Sequence, residues 1–257
     1  MVCVIDHAVN RVSIQTNPEQ PRGTAKEMVP RRRMGVAERE RQILDGAIAF
    51  FAERGLDGQL RDLAKSIGVT HTLLYHYFPT KQALIDRVYV EVFEGRWRPE
   101  WEAMLDDSAM SVEDKFANFY VDYVNHTLSS AFVRILVFSG LTDHTITDRF
   151  FALLRERLFP RLIRETRRFR GVTSRAKPSE RELELLLSLH GGFFYVSMRQ
   201  WIYGQEVHSP NAPRSFDPEL VRDRVKGYLV ASQALFGSTP ARPAAGPAVA
   251  RHRRQRS

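Results

Sequence analysis

Residues 58–85, GQLRDLAKSIGVTHTLLYHYFPTKQALI, decide the reading of this chain. Leu60, Leu63, Ala64 and Ile67 fall at i, i+3, i+4 and i+7, so they form one apolar helix face, and Gly68 ends that helix in the manner of a left-handed cap. Thr70 is an N-cap residue type and opens a second short helix to about Tyr77. Pro79 forbids simple continuation, and Thr80 caps the helix that follows. Two short helices joined by Gly68-Val69-Thr70 make a helix-turn-helix pattern. In the second of them Leu74 and Phe78 share a face and point inward with Tyr77. His71, Thr72, Tyr75 and His76 are left facing outward, each with a side chain able to hydrogen-bond to phosphates or base edges. Such a helix is about 11 Å long and matches a major groove about 12 Å wide.

Charge supports the same reading. From Leu63 to Ile85 there is no Asp or Glu. Lys81 sits at the start of its helix, where its charge opposes the helix dipole unless an anion arrives. His71 and His76 lie five apart, off the i, i+4 register that would bring two metal ligands to one face, so no metal site is expected here.

Working outward, an upstream helix from about Gly35 to Arg54 carries Ile43, Ala47, Phe50 and Phe51 on one face and is stopped by Gly55. Downstream, a helix runs from Thr80 to about Arg96, followed by a Trp-rich joint, RWRPEW. Ser111 with Asp114 and Ser179 with Glu182 read as capping boxes, and Asp217-Pro218 as an N-cap with proline at the first helical position. Between them lie an apolar segment, Phe132–Phe138, and a long helix with Phe150, Leu154, Leu158 and Leu162 that breaks or bends near Pro160. No strand alternation is present, so the fold class is all-α: an N-terminal three-helix helix-turn-helix domain plus a C-terminal helical domain.

The chain has 257 residues, 43% of them hydrophobic, enough for one sizeable core or two modest ones. Its formal charge is +8, and the two ends carry all of that excess. Residues 1–33 hold six Lys/Arg against three Asp/Glu, and residues 238–257 hold five Arg and no acid. The expected organisation is a basic arm at 1–33, a helix-turn-helix domain at 34–82, a helical effector-binding and dimerisation domain at 83–237 and a disordered basic tail at 238–257. Arg31-Arg32-Arg33 reads as a solvated run, or as a segment that lies along a minor groove. A lone cysteine, Cys3, allows no internal disulfide and no cysteine metal cluster. No apolar run approaches the roughly 20 residues of a membrane span, so no membrane partner and a cytoplasmic location are expected.

The 58–85 segment resembles the signature of the tetracycline-repressor (TetR) family: an R-D-L-A-x-x-x-G-V run, then L-Y-x-Y-F, then a lysine three residues after the phenylalanine. The likeness extends over roughly Ala37 to Val88. It implies that Thr70, His71, Thr72, Tyr75, His76 and Lys81 touch double-stranded DNA, and that Arg61 occupies a position that sometimes reads a base. Gln59 stands where a threonine is usual, which puts the cap of the second helix in question. The resemblance also implies a transcriptional regulator rather than an enzyme, with no catalytic residues and no cofactor. A ligand-responsive repressor on a palindromic operator, dimeric through the last two helices, is expected. Its effector is a largely apolar small molecule in a pocket between sensor helices, with Trp101, Tyr123 and His126 as candidate polar anchors. His144 and His190 are possible further contacts, read first as structural histidines. Gly191 and Gly192 in mid-helix point to close backbone approach or a pocket wall. The competing reading, a helical small-molecule-binding protein or enzyme with an incidental helix-turn-helix, finds no nucleophile–base pair, phosphate loop or metal cluster in the sequence. A third, a DNA binder without a ligand, shares the same N-terminal half.

Overall fold

The structure, a computed structural model, describes residues 34–205 and 216–237. The basic arm and tail expected at the two ends lie outside the described residues. Those described form eleven α-helices and no strand, and from Val36 on they belong to one compact unit. None of the helices is long and apolar enough to cross a membrane.

Helix α1 (Val36–Arg54) buries the face expected of it, with Ile43, Leu44, Ala47, Phe50 and Phe51 all inside. Helix α2 (Leu60–Ser66) packs across it, and α3 (His71–Tyr77) packs on α2. Gly46 permits this packing: a Cβ there would stand 2.3 Å from Ile67 Cγ2, so any side chain would push the end of α2 away. Gly68 adopts φ +68°, the left-handed turn that joins α2 to α3 and that glycine adopts without strain.

Helix α4 (Lys81–Val92) packs on α1 and is shorter than its sequence pattern suggests. It ends where Phe93 turns into the core against Phe132 and Phe150, and a 3-10 turn, Glu94–Arg96, follows. The Trp-rich joint is itself the start of a helix, α5 (Pro99–Asp106), with Pro99 in its first turn. Then come α6 (Val112–His126), α7 (Ser130–Gly140), α8 (Thr145–Leu153), a π-helical turn at Leu154–Leu158, and α9 (Phe159–Phe169). The expected break before Pro160 is this π turn. Proline has no N–H to give to the residue four back, and its ring needs the extra room. Helices α10 (Glu180–Trp201) and α11 (Pro218–Phe236) complete the bundle. Ser179 and Glu182 form a complete capping box; Ser111 caps α6 by accepting from Asp114 N, and Asp217 caps α11.

Two features of the bundle set up the site. One end is cross-braced by buried ions. Lys115 is fully buried, with Nζ 2.6 Å from Glu165 and 2.9 Å from the carbonyl of Leu105. Glu182 is shared by Arg167, at 2.7 Å, and Arg170. The other end, where α7 and α8 meet α10, is mostly apolar and touches α1 and α4. There Arg134 of α7 donates Nε–H to the carbonyl of Ala52 at 2.5 Å. Phe138 of the same helix lies against Gly55, where a Cβ would approach its ring to 3.1 Å.

Candidate functional site

Helix α3 presents the expected faces. Leu74 is fully buried and Phe78 nearly so, whereas His71, Thr72, Tyr75 and His76 are exposed. Both threonine caps are made: Thr70 Oγ1 accepts from Leu73 N at 3.1 Å, and Thr80 Oγ1 accepts from Ala83 N at 3.0 Å. Gln59 occupies the N-cap position of α2 in extended conformation but makes no side-chain cap bond, so its departure from threonine leaves that helix start uncapped by a side chain.

A cleft of about 490 Å³ opens between the start of α2, the outer face of α3 and the start of α4. It brings together Arg61, His71, Tyr75 and Lys81, with Gln59 and Asp62 on its rim. The His71 and Tyr75 rings stand edge to face with centroids 4.7 Å apart. Thr72 and His76 are exposed on α3 but do not line the cleft, and the Thr70 hydroxyl is engaged in capping. Among the described residues, no ion pair involves Arg61, Lys65 or Lys81. Lys81 in the first turn of α4 places a full positive charge at the positive end of a helix dipole. Unpaired cations around a concave face suit a polyanion.

A second cavity, about 370 Å³, lies between α6, α7, α8 and α10. Its wall is apolar apart from Tyr123, Thr147 and His190. Of the three anchors expected from sequence, only Tyr123 reaches it. Trp101 is buried one layer behind, edge-on to the Tyr123 ring at 5.9 Å, with Nε1 donating to Asp122 at 2.6 Å. His126 is exposed on the far side of α6, its Nδ1 2.8 Å from the same Asp122. His144 is also exposed, in the left-handed turn before α8. His190, in contrast, is buried in the cavity wall, with Nε2 3.4 Å from Tyr123 Oη. Burial holds its pKa down at about 4, so it is neutral at pH 7, and burial raises the Tyr123 phenol. The neighbouring Gly191 lines the same cavity; Gly192 instead faces Arg224, whose Nη1 would be 3.4 Å from a Cβ. Gly191 is therefore the sequence signal for this wall, and His190 stands beside it.

Fold and site define a class: an all-helical protein with a helix-turn-helix and an apolar cavity among its later helices. Residues 43–88 match the family model described as bacterial regulatory proteins, tetR family. The likeness to that family rests on those residues, which carry its helix-turn-helix segment. The chain is 25% identical over 126 residues to the HTH-type transcriptional repressor KstR2 of Rhodococcus jostii (strain RHA1), a match covering 48% of this chain and 59% of the relative's length. Among solved structures, a TetR family transcriptional regulator from Pseudomonas syringae pv. tomato str. DC3000 superposes with a TM-score of 0.50 at 17% identity, covering 77% of this chain and 96% of that one. A tetR-family regulator from Streptomyces coelicolor gives 0.50 at 18% identity, over 78% and 84%. At these identities the two structures speak for the fold alone.

Proposed function

We propose that this chain is a DNA-binding transcriptional regulator, a ligand-responsive repressor that holds a palindromic operator as a homodimer. The observation that carries the reading is the exposed face of α3 beside the unpaired cations Arg61 and Lys81. In this reading residues 34–82 read DNA and residues 83–237 sense the effector. Tyr75, Lys81 and Thr70 contact phosphates; His71, Thr72 and His76 face base edges, and Arg61 reaches a base from the start of α2. KstR2 is a repressor by its description, and repression is carried over from it as part of the proposal. The chain needs no cofactor or catalytic group for this role, and it works in the cytoplasm.

The second copy docks on α10 and α11. Their outward sides carry exposed Tyr195, Leu220 and Leu235, and a shallow groove of about 270 Å³ between them is lined by small residues such as Ser188, Gly227 and Ala231. A twofold pair gives two recognition helices at fixed spacing, which is how short helices read a palindrome. Tyr123 is an effector anchor in this reading; Trp101 and His126 act behind and outside the cavity. The effector's influence travels by α7, through Arg134 and Phe138 to the end of α1, and by α8, through Arg149 to α4.

Fluorescence anisotropy with labelled DNA from the chain's own upstream region tests the proposal. Saturable binding that survives competitor DNA is expected, weakening steeply with salt. Binding no tighter to that region than to random DNA would overturn it.

A further inference from the structure

We infer that the cavity between α6, α7, α8 and α10 takes an uncharged, largely apolar molecule bearing a hydrogen-bond acceptor, such as a ketone or ester carbonyl, and turns away ionised molecules of the same shape. This rests on the reading of the chain as a ligand-responsive regulator and names the class of its ligand.

Charge comes first. No Asp, Glu, Lys or Arg lines the cavity. The arginines that pair along α8, the π turn and α9 are engaged elsewhere: Arg149 on Asp86, Arg157 and Arg161 on Glu102, Arg164 on Asp106, Arg167 on Glu182 and Arg168 on Glu165. His190 is neutral in its buried setting. An ionised ligand would leave water and find no counter-charge, which is a heavy cost.

Hydrogen bonding gives the second half. Around one polar corner, Tyr123 Oη faces His190 Nε2 at 3.4 Å, and the Tyr120 ring lies 6.0 Å from the His190 ring, one layer deeper. A phenol O–H is a better donor than a neutral imidazole N–H. With Tyr123 donating to Nε2, the imidazole proton resides on Nδ1. That Nδ1 is buried and has no partner among the described residues, and neither has the buried hydroxyl of Tyr120. Buried polar groups are almost always satisfied, so the His190 Nδ1–H, part of the cavity wall and without an acceptor, marks a place where something else supplies one. A carbonyl oxygen has two lone pairs and no proton to place. The rest of the molecule then meets Val137, Phe151, Leu187 and Phe194, in a space of the size that suits a small drug-like ligand.

Titration calorimetry on the full chain tests the class with three compounds of one shape: benzophenone, diphenylmethane and diphenylacetate. Benzophenone should bind at least about tenfold tighter than diphenylmethane. Diphenylacetate should be at least about a hundredfold weaker than benzophenone. His190→Phe, and separately Tyr123→Phe, should bring the ketone and the hydrocarbon to within about threefold of each other. Val137→Trp, which fills the cavity, should abolish all three. The inference is overturned if diphenylacetate binds as well as the ketone, if the ketone preference survives both polar variants, or if the wild type binds none of the three. Operator affinity of the ligand-free protein, measured alongside, separates the two readings. DNA binding without ketone binding refutes the ligand class and spares the regulator; ketone binding without DNA binding does the reverse.

Discussion

The guanidinium carbon of Arg149 sits 3.7 Å from the centre of the Tyr89 ring, and its Nη1 donates to Asp86 at 2.8 Å. Arg149 belongs to α8, which lines the cavity, and Tyr89 and Asp86 belong to α4, whose first turn carries Lys81. One side chain thus holds the two proposed halves together by a stacked cation and an ion pair. Arg149 is partly exposed, so screening keeps the contribution small. Arg149→Ala should cost ~1 kcal/mol of stability. A urea titration reads this as a lower midpoint, and an unmoved midpoint would contradict it.

The cleft makes separable claims about affinity and specificity. Tyr75→Phe and Lys81→Ala should weaken binding to every DNA sequence alike, and Lys81→Ala should reduce the salt slope by about one ion. His71→Ala and Thr72→Ala should relax preference at particular bases, at about 1–3 kcal/mol for each base-specific hydrogen bond removed. Anisotropy against the operator and single-base variants distinguishes the two patterns. Unchanged affinity in all four folded variants would remove α3 from the recognition role.

Gln59 offers a test on stability. Its backbone, at φ −75° and ψ 131°, already has the extended N-cap geometry, but its side chain makes no cap bond. Gln59→Thr supplies a short hydroxyl in that place and should stabilise the fold by ~0.5–1 kcal/mol, seen in thermal or urea unfolding. A loss of stability would mean that Gln59 does something else in the folded chain.

Gly227 tests the dimer. A Cβ there meets nothing within 4 Å, so Gly227→Glu fits a single copy and even gains helix propensity. Only a second copy seated on the α10–α11 groove would refuse it. Light scattering at micromolar concentration should give a dimer for the wild type and a monomer for Gly227→Glu. A wild-type monomer, or a variant dimer of equal strength, would refute this interface.

Acid should destabilise the protein in two stages. His190 has its pKa lowered to about 4 from an ordinary 6.5 by burial, so the folded state favours its neutral form. Its contribution is complete above pH 6.5 and lost as pH falls through 4, about 3 kcal/mol in all. Glu182 has its pKa lowered well below its ordinary 4.5, chiefly by its bond to Arg167, so its contribution is complete above that value and lost at lower pH. Urea titrations from pH 7 to pH 4 should show the first loss, and His190→Phe should flatten it. A pH profile identical in the variant would contradict the assignment to His190.

The N-terminal half is legible in the sequence because its rules are local. The turn at Gly68, the caps at Thr70 and Thr80 and the alternation of Leu74 with Tyr75 each depend on neighbours within four residues. Capping boxes and Asp217-Pro218 mark the starts of the sensor helices for the same reason. The interior of the sensor is harder to read. Trp101, Tyr123 and His126 are equivalent as candidates in sequence, and only packing sends one to the cavity, one behind it and one to solvent. His126 and Trp101 are both claimed by Asp122, a partner that lies 21 residues from Trp101. The π turn before Pro160 shows in the sequence only as a break, because the proline signals trouble in the helix without saying how it is resolved.

The placement of the buried ions has a mechanical consequence. Lys115 with Glu165, and Arg167 and Arg170 with Glu182, cannot slide past one another without stranding a charge, and breaking such a pair costs about 3–5 kcal/mol. The packing around α7 and α8 is mostly apolar and shifts at far lower cost. The sensor therefore has a stiff foot and a yielding head. Under the proposed function, a guest that wedged the bundle open would move the head, which is the end that grips Ala52 and Asp86. In that proposal strain would be steered toward the first four helices because the opposite end cannot give way.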